Sequence, residues 1–365
     1  MSRARDLADL GGSADAGGLT GRSMLINGAF QIWQRGTSAI TVSGDDDFTA
    51  DRFKGWANGG GTFTVEQSTD VPNNEFEFSA KLTNTATDSS VAAGDDYRWA
   101  TDIEGYNVSP LAYGSSDAKK ATLSFWVKSS LAGTYCGAFY STTASRHYIY
   151  EYTISSADTW EYKTITIDGD TTGSWNRTNG NGLRIYWGFG SGSDVQGTAD
   201  AWAAGEKWET TNQAAWIGSA SATFFITGIK LEVGQTATPF EHRSYGDELA
   251  RCQRYYYRIQ EGVVYQRFGI ASCQNSNNSN ATIHLPVSMK TQPSLHTTGT
   301  ASDYAVYENN GVNACSSVPT LVTNASNGDV VCVQAVSTGN FAGGNAGEFC
   351  STNDATVFLA FKAEL

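Results

Sequence analysis

The sequence predicts an all-β chain: a jelly-roll or β-sandwich domain, a short connecting helix, then a second, smaller C-terminal β-sandwich. Three observations carry that expectation. Short runs that alternate apolar with polar residues recur from Met24 to about His242, separated by Gly/Asn/Asp/Ser clusters. Aromatic residues make up 12% of the 365 positions and glycine occupies 39, which suits strands joined by tight turns. No long helical periodicity interrupts the pattern.

The elements follow in order. Residues 1–22 read as a polar leader, in which 2–10 can form two helical turns with Leu7 and Leu10 on one face before Gly11 stops them. Residues 23–244 form the first β domain. Its expected strands include 121–129, where Leu123, Phe125 and Val127 alternate with Thr122, Ser124 and Lys128, and where Trp126 is taken as a core residue. Residues 160–167 alternate Trp160 and Tyr162, then Ile165 and Ile167 after a change of phase; 182–189 and 222–231 are further strands. Residues 245–258 hold the connecting helix, with Asp247 as N-cap and Leu249, Cys252 and Tyr256 on one face. Residues 259–365 form the second β domain, with strands at 263–273, 281–289, 330–337 and 355–363 and a polar loop at 274–280.

Composition excludes several function classes. The 37 acidic and 24 basic side chains give a formal charge of −13, with no cationic surplus for phosphates, so no nucleic-acid partner is expected. The same balance argues against a polybasic membrane clamp. No stretch approaches the ~18 apolar residues of a membrane span, so no membrane insertion is expected. Cys136, Cys252, Cys273, Cys315, Cys332 and Cys350 include no C-x-x-C pair, and the N-terminus lacks the apolar centre of a signal peptide, so the cysteines are expected as buried thiols.

The search for chemistry is mostly negative. His147, His242, His284 and His296 stand far apart, with no H-E-x-x-H, G-x-S-x-G or Walker pattern. The carboxylate groups Asp45-Asp46-Asp47, Asp95-Asp96, Asp102/Glu104 and Asp168/Asp170 are the candidates for a glycosidase pair, although all but Asp102/Glu104 sit in turn-like surroundings. Asp168 and Asp170 also offer oxygens to calcium without a full loop pattern. Aromatics are the more telling set: Trp175, Trp202 and Trp208 lie between expected strands, where a flat ring with a polar rim can stack on a sugar face. The two domains differ in texture. All ten Trp lie at or before Trp216, whereas residues 256–365 carry only eleven Lys, Arg, Asp or Glu, a depletion that suits burial against identical copies.

Three segments carry a resemblance. LINGAFQIWQRGT at 25–37 followed by FTADRFKGW at 48–56, then IEG at 103–105 with ATLSFWVK at 121–128, then ITGIKLEVGQTATPFEHR at 226–243 running into YGDELARCQRYY at 245–256, resemble in order a family of bacteriophage and prophage tail-fibre-like proteins. The resemblance implies a jelly roll related to carbohydrate-binding modules, followed by a C-terminal β domain, often trimeric on a virion. It implies a non-enzymatic virion protein, a tail fibre or tail-associated adhesin contacting host surface glycan; the alternatives are a capsid (head) fibre or decoration protein, and a glycan depolymerase. Implied partners are further copies in a homotrimer, other virion proteins and the host glycan, with assembly in the bacterial host cytoplasm and Leu7 and Leu10 as the virion anchor. Trp33, Trp56 and Phe240 are expected to pin the core, and Gly234 and Pro239 to shape the exit of the last strand. In related sugar-binding jelly rolls an acidic residue after Asn-Gly-x-Phe ligates structural calcium. Gln31 stands there in this chain, so no cofactor is expected, with Glu232 as a leftover oxygen donor beside Asp168 and Asp170.

Overall fold

The computed structural model describes residues 23–260, 262–309 and 311–365. Leu7 and Leu10 lie outside the described residues. The chain divides into two compact units between Glu248 and Leu249, inside the helix Tyr245–Gln253.

The strands of the first unit are β1 (Ile40–Val42), β2 (Asp47–Phe48), β3 (Phe53–Asn58), β4 (Thr62–Ser68), β5 (Ser79–Ala86), β6 (Asp96–Glu104), β7 (Ala121–Ser129), β8 (Gly133–Ser141), β9 (Arg146–Ile154), β10 (Glu161–Ile167), β11 (Asn181–Ser191), β12 (Trp202–Ala204) and β13 (Thr223–Val233). They build a jelly-roll β-sandwich. The front sheet runs β1-β4-β5-β13-β7-β10 and the back sheet β12-β9-β8-β11-β6-β3-β2. Every named strand pair is antiparallel, so one face of each strand points into the sandwich. Leu123, Phe125 and Val127 of β7 and Phe224, Ile226 and Leu231 of β13 meet Trp99, Phe139, Ile185 and Trp187 of the back sheet in one core. Ring contacts thread it: Phe53 stacks on Trp99 at 4.6 Å, and Trp99 meets Trp187 at 5.9 Å.

Two expectations for the front sheet change. Trp126 is not core: its neighbours in phase are Thr122, Ser124 and Lys128, so it stands half-buried on the outer face beside its cross-strand partner Tyr162. No change of phase occurs at 160–167 either. Trp160 and Tyr162 face outward in the same phase that turns Ile165 and Ile167 inward.

The opening and closing segments of the first unit clasp each other. Arg243 donates to Leu25 O (3.1 Å) and Ser23 O (2.9 Å) and pairs with Glu248 (3.1 Å), whose carboxylate also accepts from Asn27 N. Asn27, at φ 62°, ties its own loop with side-chain bonds to Ile32 and Asp51. Gly28 is obligatory there, since a Cβ would lie 2.1 Å from Ile229 O. These motif residues hold the fold's two ends together. Trp33 joins the core as expected, but Trp56 is buried outside it, on the outer face of the back sheet. Phe240 is only half-buried, packed on Phe76 at 5.3 Å.

The helix begins one turn earlier than expected. Ser244, not Asp247, caps it, accepting from Asp247 N (3.3 Å), and Asp247 and Glu248 occupy the first turn, where acidic side chains favour the helix dipole. It ends at Gln253, so Tyr256 opens a strand instead.

The second unit has β14 (Tyr256–Ile259), β15 (Arg267–Cys273), β16 (Asn278–His284), β17 (Ser294–Thr297), β18 (Tyr304–Glu308), β19 (Gly311–Ala314), β20 (Thr320–Leu321), β21 (Val330–Val336), β22 (Ala346–Ser351) and β23 (Leu359–Lys362). A three-stranded sheet, β14-β23-β17, and a seven-stranded sheet, β19-β18-β22-β15-β16-β21-β20, share a core of Phe268, Ile283, Tyr304, Val333, Phe349, Leu359 and Phe361. The expected loop 274–280 is shorter: Asn275 Oδ1 accepts from Asn277 N (2.8 Å) and Asn278 N (2.9 Å), and the chain re-enters the sheet at Asn278. All six cysteines are buried thiols.

Candidate functional site

Sequence reasoning singled out three tryptophans, and the structure brings two of them together. Trp175 sits in the β10–β11 connection and Trp202 opens the edge strand β12. Their ring centroids are 5.4 Å apart at 89°, and buried Tyr113 meets each at 75°, 5.0 Å from Trp175 and 5.6 Å from Trp202. Three rings therefore form a corner. Both indole N–H groups are tied to backbone, Trp175 Nε1 to Thr172 O (3.0 Å) and Trp202 Nε1 to Asp168 O (2.7 Å), which fixes the rings. Both tryptophans are half-buried, and Tyr148 also packs edge-on against Trp202 at 5.5 Å. The exposed Asp168–Lys120 ion pair (2.7 Å) adds polar groups beside Trp202.

Trp208 lies elsewhere and is closed. It packs over the outer face of the back sheet with Trp56, Tyr140 and Tyr186, only 3% exposed, and Arg98 stacks on its ring at 3.7 Å. Its Nε1 donates to Ser191 Oγ (2.8 Å). No ring face is left for a ligand. The same sheet face carries Asp102, held by Arg184 (Nη2 to Oδ2, 3.0 Å), Lys54 (3.0 Å) and Asn181 (2.6 Å). Burial alone would raise this carboxyl, but Arg184 and Lys54 bring it down to about 2. Asp102 is thus a structural anion, far from the pKa a general acid needs.

The calcium candidates do not fit that ion. Glu232 accepts from Thr238 N (2.8 Å) and Thr238 Oγ1 (2.8 Å) and pairs with Lys230 (3.1 Å). Asp170, 2% exposed, takes Arg146 and the Thr172 N–H (3.0 Å) and hydroxyl (2.8 Å), while Asp168 pairs with Lys120. Each carboxylate already faces a cation, and among the described residues no three His, Cys, Asp or Glu side chains converge as a metal site needs. Asp170 instead braces the aromatic corner, since its bonds shape the turn that carries Trp175.

A second aromatic surface escaped sequence reasoning. On the outer face of the front sheet Trp126 meets Tyr162 at 5.2 Å, and Trp160 meets Phe225 at 6.2 Å. Tyr162 is 44% exposed, and Asp70 orients this strip by accepting from Trp160 Nε1 (2.9 Å) and pairing with Lys128. The signal was present: in 121–129 the position of Trp126 is in phase with three polar residues.

In the second unit a cross-strand row stands out. Ile270 of β15 pairs with Glu348 of β22, Glu348 with Tyr307 of β18, and Tyr307 with Val312 of β19, so all four share one face. Ile270 is 75% exposed, and Tyr307 and Val312 44% each. Arg267 pairs with Glu348 (2.6 Å) and lies over the Tyr307 ring at 5.0 Å.

No family model and no curated protein matches the sequence. Among solved structures the chain is similar to the enzymatically active domain of tailspike protein 4 of bacteriophage CBA120, at 13% identity and TM-score 0.30 over 58% of this chain. An arabinose-bound α-L-arabinofuranosidase is similar at 10% identity and TM-score 0.34 over 64% of this chain. These matches span 21% and 30% of those longer chains. The family 11 carbohydrate-binding module of a cellulosomal cellulase from Clostridium thermocellum is similar at 14% identity and TM-score 0.28, over 55% of this chain and 98% of the module.

Proposed function

We propose that this chain is a non-enzymatic bacteriophage virion protein, a tail fibre or tail-associated adhesin, that contacts glycan on the host surface through the Trp175–Trp202 corner. The observation that carries the reading is the corner itself: two indoles held at right angles, 5.4 Å apart, with their N–H groups already committed to backbone. A ring fixed in this way loses little freedom on binding, and its open part offers apolar area to the C–H face of a sugar. Asp168 and Lys120 supply donors and acceptors for the hydroxyls around it. The ordered motif segments at 25–56, 103–128 and 226–256 support the phage assignment.

The exposed row of Ile270, Tyr307 and Val312 supports self-association through the second unit into a homotrimer, because an isolated sheet face leaves these side chains in water. Several copies on one particle turn a shallow, weak sugar site into firm attachment. The leader, with Leu7 and Leu10, would hold the particle. The test is adsorption of the purified protein to bacterial cells, with competition by their extracted surface polysaccharide. Saturable binding that the polysaccharide displaces is expected; absence of binding to any panel strain, even when the protein is displayed multivalently, contradicts the reading.

A further inference from the structure

The end of the sandwich that carries the aromatic corner extends beyond it. The β10–β11 connection runs on from Trp175 through Arg177 and Thr178 and lies against the short helix Gly105–Val108 that follows β6. Tyr106 N donates to Thr178 O (2.9 Å), Gly105 N to Gly180 O (2.9 Å) and Ser109 Oγ to Arg177 O (3.4 Å). Glycine is required at 105, because a Cβ there would lie 2.7 Å from both Asn176 O and Thr178 O. On its other side the loop is tied to the corner, where Arg177 Nη2 donates to the carbonyl of Tyr113 (2.8 Å). One loop therefore joins the corner to the helix.

This junction leaves two side chains without internal work. Tyr106 is 59% exposed, and neither its ring nor its hydroxyl has a partner among the described residues. Most of the ring is in water, so it adds little to the stability of the fold. Arg177 is exposed as well and uses only Nη2, so its other N–H groups have no acceptor, and no carboxylate pairs with it among the described residues. By contrast, Lys120, Arg146 and Arg184 at the same end of the sandwich each face a carboxylate.

The spacing decides what such a surface can hold. Thr178 is three residues from Trp175, so their α-carbons are at most about 11 Å apart, and Tyr106 is bonded to Thr178 directly. Tyr106 makes no ring contact with either indole, so one sugar held in the corner does not cover it. A short chain of linked sugars leaving the corner along the loop does. We infer that the glycan-binding surface continues from the Trp175–Trp202 corner across Arg177 to Tyr106, and that it takes an oligosaccharide segment, not a single terminal sugar. Tyr106 supplies a further ring for stacking, and Arg177 donates to oxygens of the sugar between the rings. This rests on the reading of the corner as a glycan site.

The test is displacement of the full chain from cells of a strain to which it adsorbs, using fragments of that strain's surface polysaccharide hydrolysed and sized from two to eight sugars. Wild-type adsorption should be displaced at about tenfold lower concentration by tetrasaccharides and longer fragments than by disaccharides, the gain of one more stacked ring. Tyr106→Ala, at an exposed position, should remove most of that difference, whereas Tyr106→Phe, which keeps the ring, should retain it. Equal displacement by short and long fragments, or a length dependence that Tyr106→Ala leaves intact, overturns this inference while the corner stands as the site. Failure of the wild type to adsorb to any strain, or undiminished adsorption of the Trp175→Ala/Trp202→Ala variant, overturns the reading of the corner and this inference with it.

Discussion

Two regions of the first unit use the same side chains for opposite ends. At the edge of the back sheet, Trp175, Trp202 and Tyr113 form a corner whose indoles are half open. On the outer face of the same sheet, Trp56, Tyr186 and Trp208 enclose Arg98, whose guanidinium lies 4.8, 4.8 and 3.7 Å from the three rings. There the flat faces are used up by a cation from within the chain. A tryptophan near a sheet surface keeps surface for a ligand only where no internal cation closes over its face.

The comparison breaks most easily on the closed side. Trp208→Ala should destabilise the unit by about 3–5 kcal/mol through the cavity it leaves, measured by thermal or urea unfolding. Asp102→Ala should cost a similar amount, about 3–5 kcal/mol, because it leaves Arg184 and Lys54 buried without their shared anion. On the open side, Trp175→Ala or Trp202→Ala should cost only about 1–2 kcal/mol and instead remove glycan retention.

Two buried carboxyls should give opposite pH slopes. Asp102, at about 2 in the fold against an ordinary 3.8, contributes stability that is present above about pH 4 and is lost as pH falls toward 2. Glu209, raised by burial to about 8 against 4.5, holds its proton longer in the fold than in the unfolded chain, so the fold loses stability as pH rises from about 4.5 to 8. Asp102→Asn should flatten the acid limb of a stability–pH curve and Glu209→Gln the neutral one. The smallest effect on folding should come from Ile270→Glu, within about 0.5 kcal/mol, while sedimentation shifts from an associated species to monomer.

Legibility in the sequence followed how local the cause was. β7 was readable to the residue because its alternation is unbroken, and the same alternation, followed strictly, already placed Trp126 outside. Trp202 stands between Ala201 and Ala203 and Trp208, six positions on, between Lys207 and Glu209, and neither neighbourhood announces which ring is covered. Their difference comes from Arg98 on β6, a strand distant in sequence. Asp170 read as a calcium oxygen because its partner Arg146 arrives from β9. Glu209 was invisible for the same reason: its burial depends on the bulge at Gly188–Gly190, which no motif announces. The helix start was misplaced by three residues because Ser244 and Asp247 are both good caps, and only the hydrogen bond from Asp247 N to Ser244 distinguishes them.

The most direct test of the central claim is affinity electrophoresis through gels containing host surface polysaccharide, comparing wild type, the Trp175→Ala/Trp202→Ala variant and Trp126→Ala. The account predicts that wild type and Trp126→Ala are retarded while the double variant, still folded by its thermal melt, migrates as in a polysaccharide-free gel. Equal retardation of the folded double variant and the wild type would contradict it.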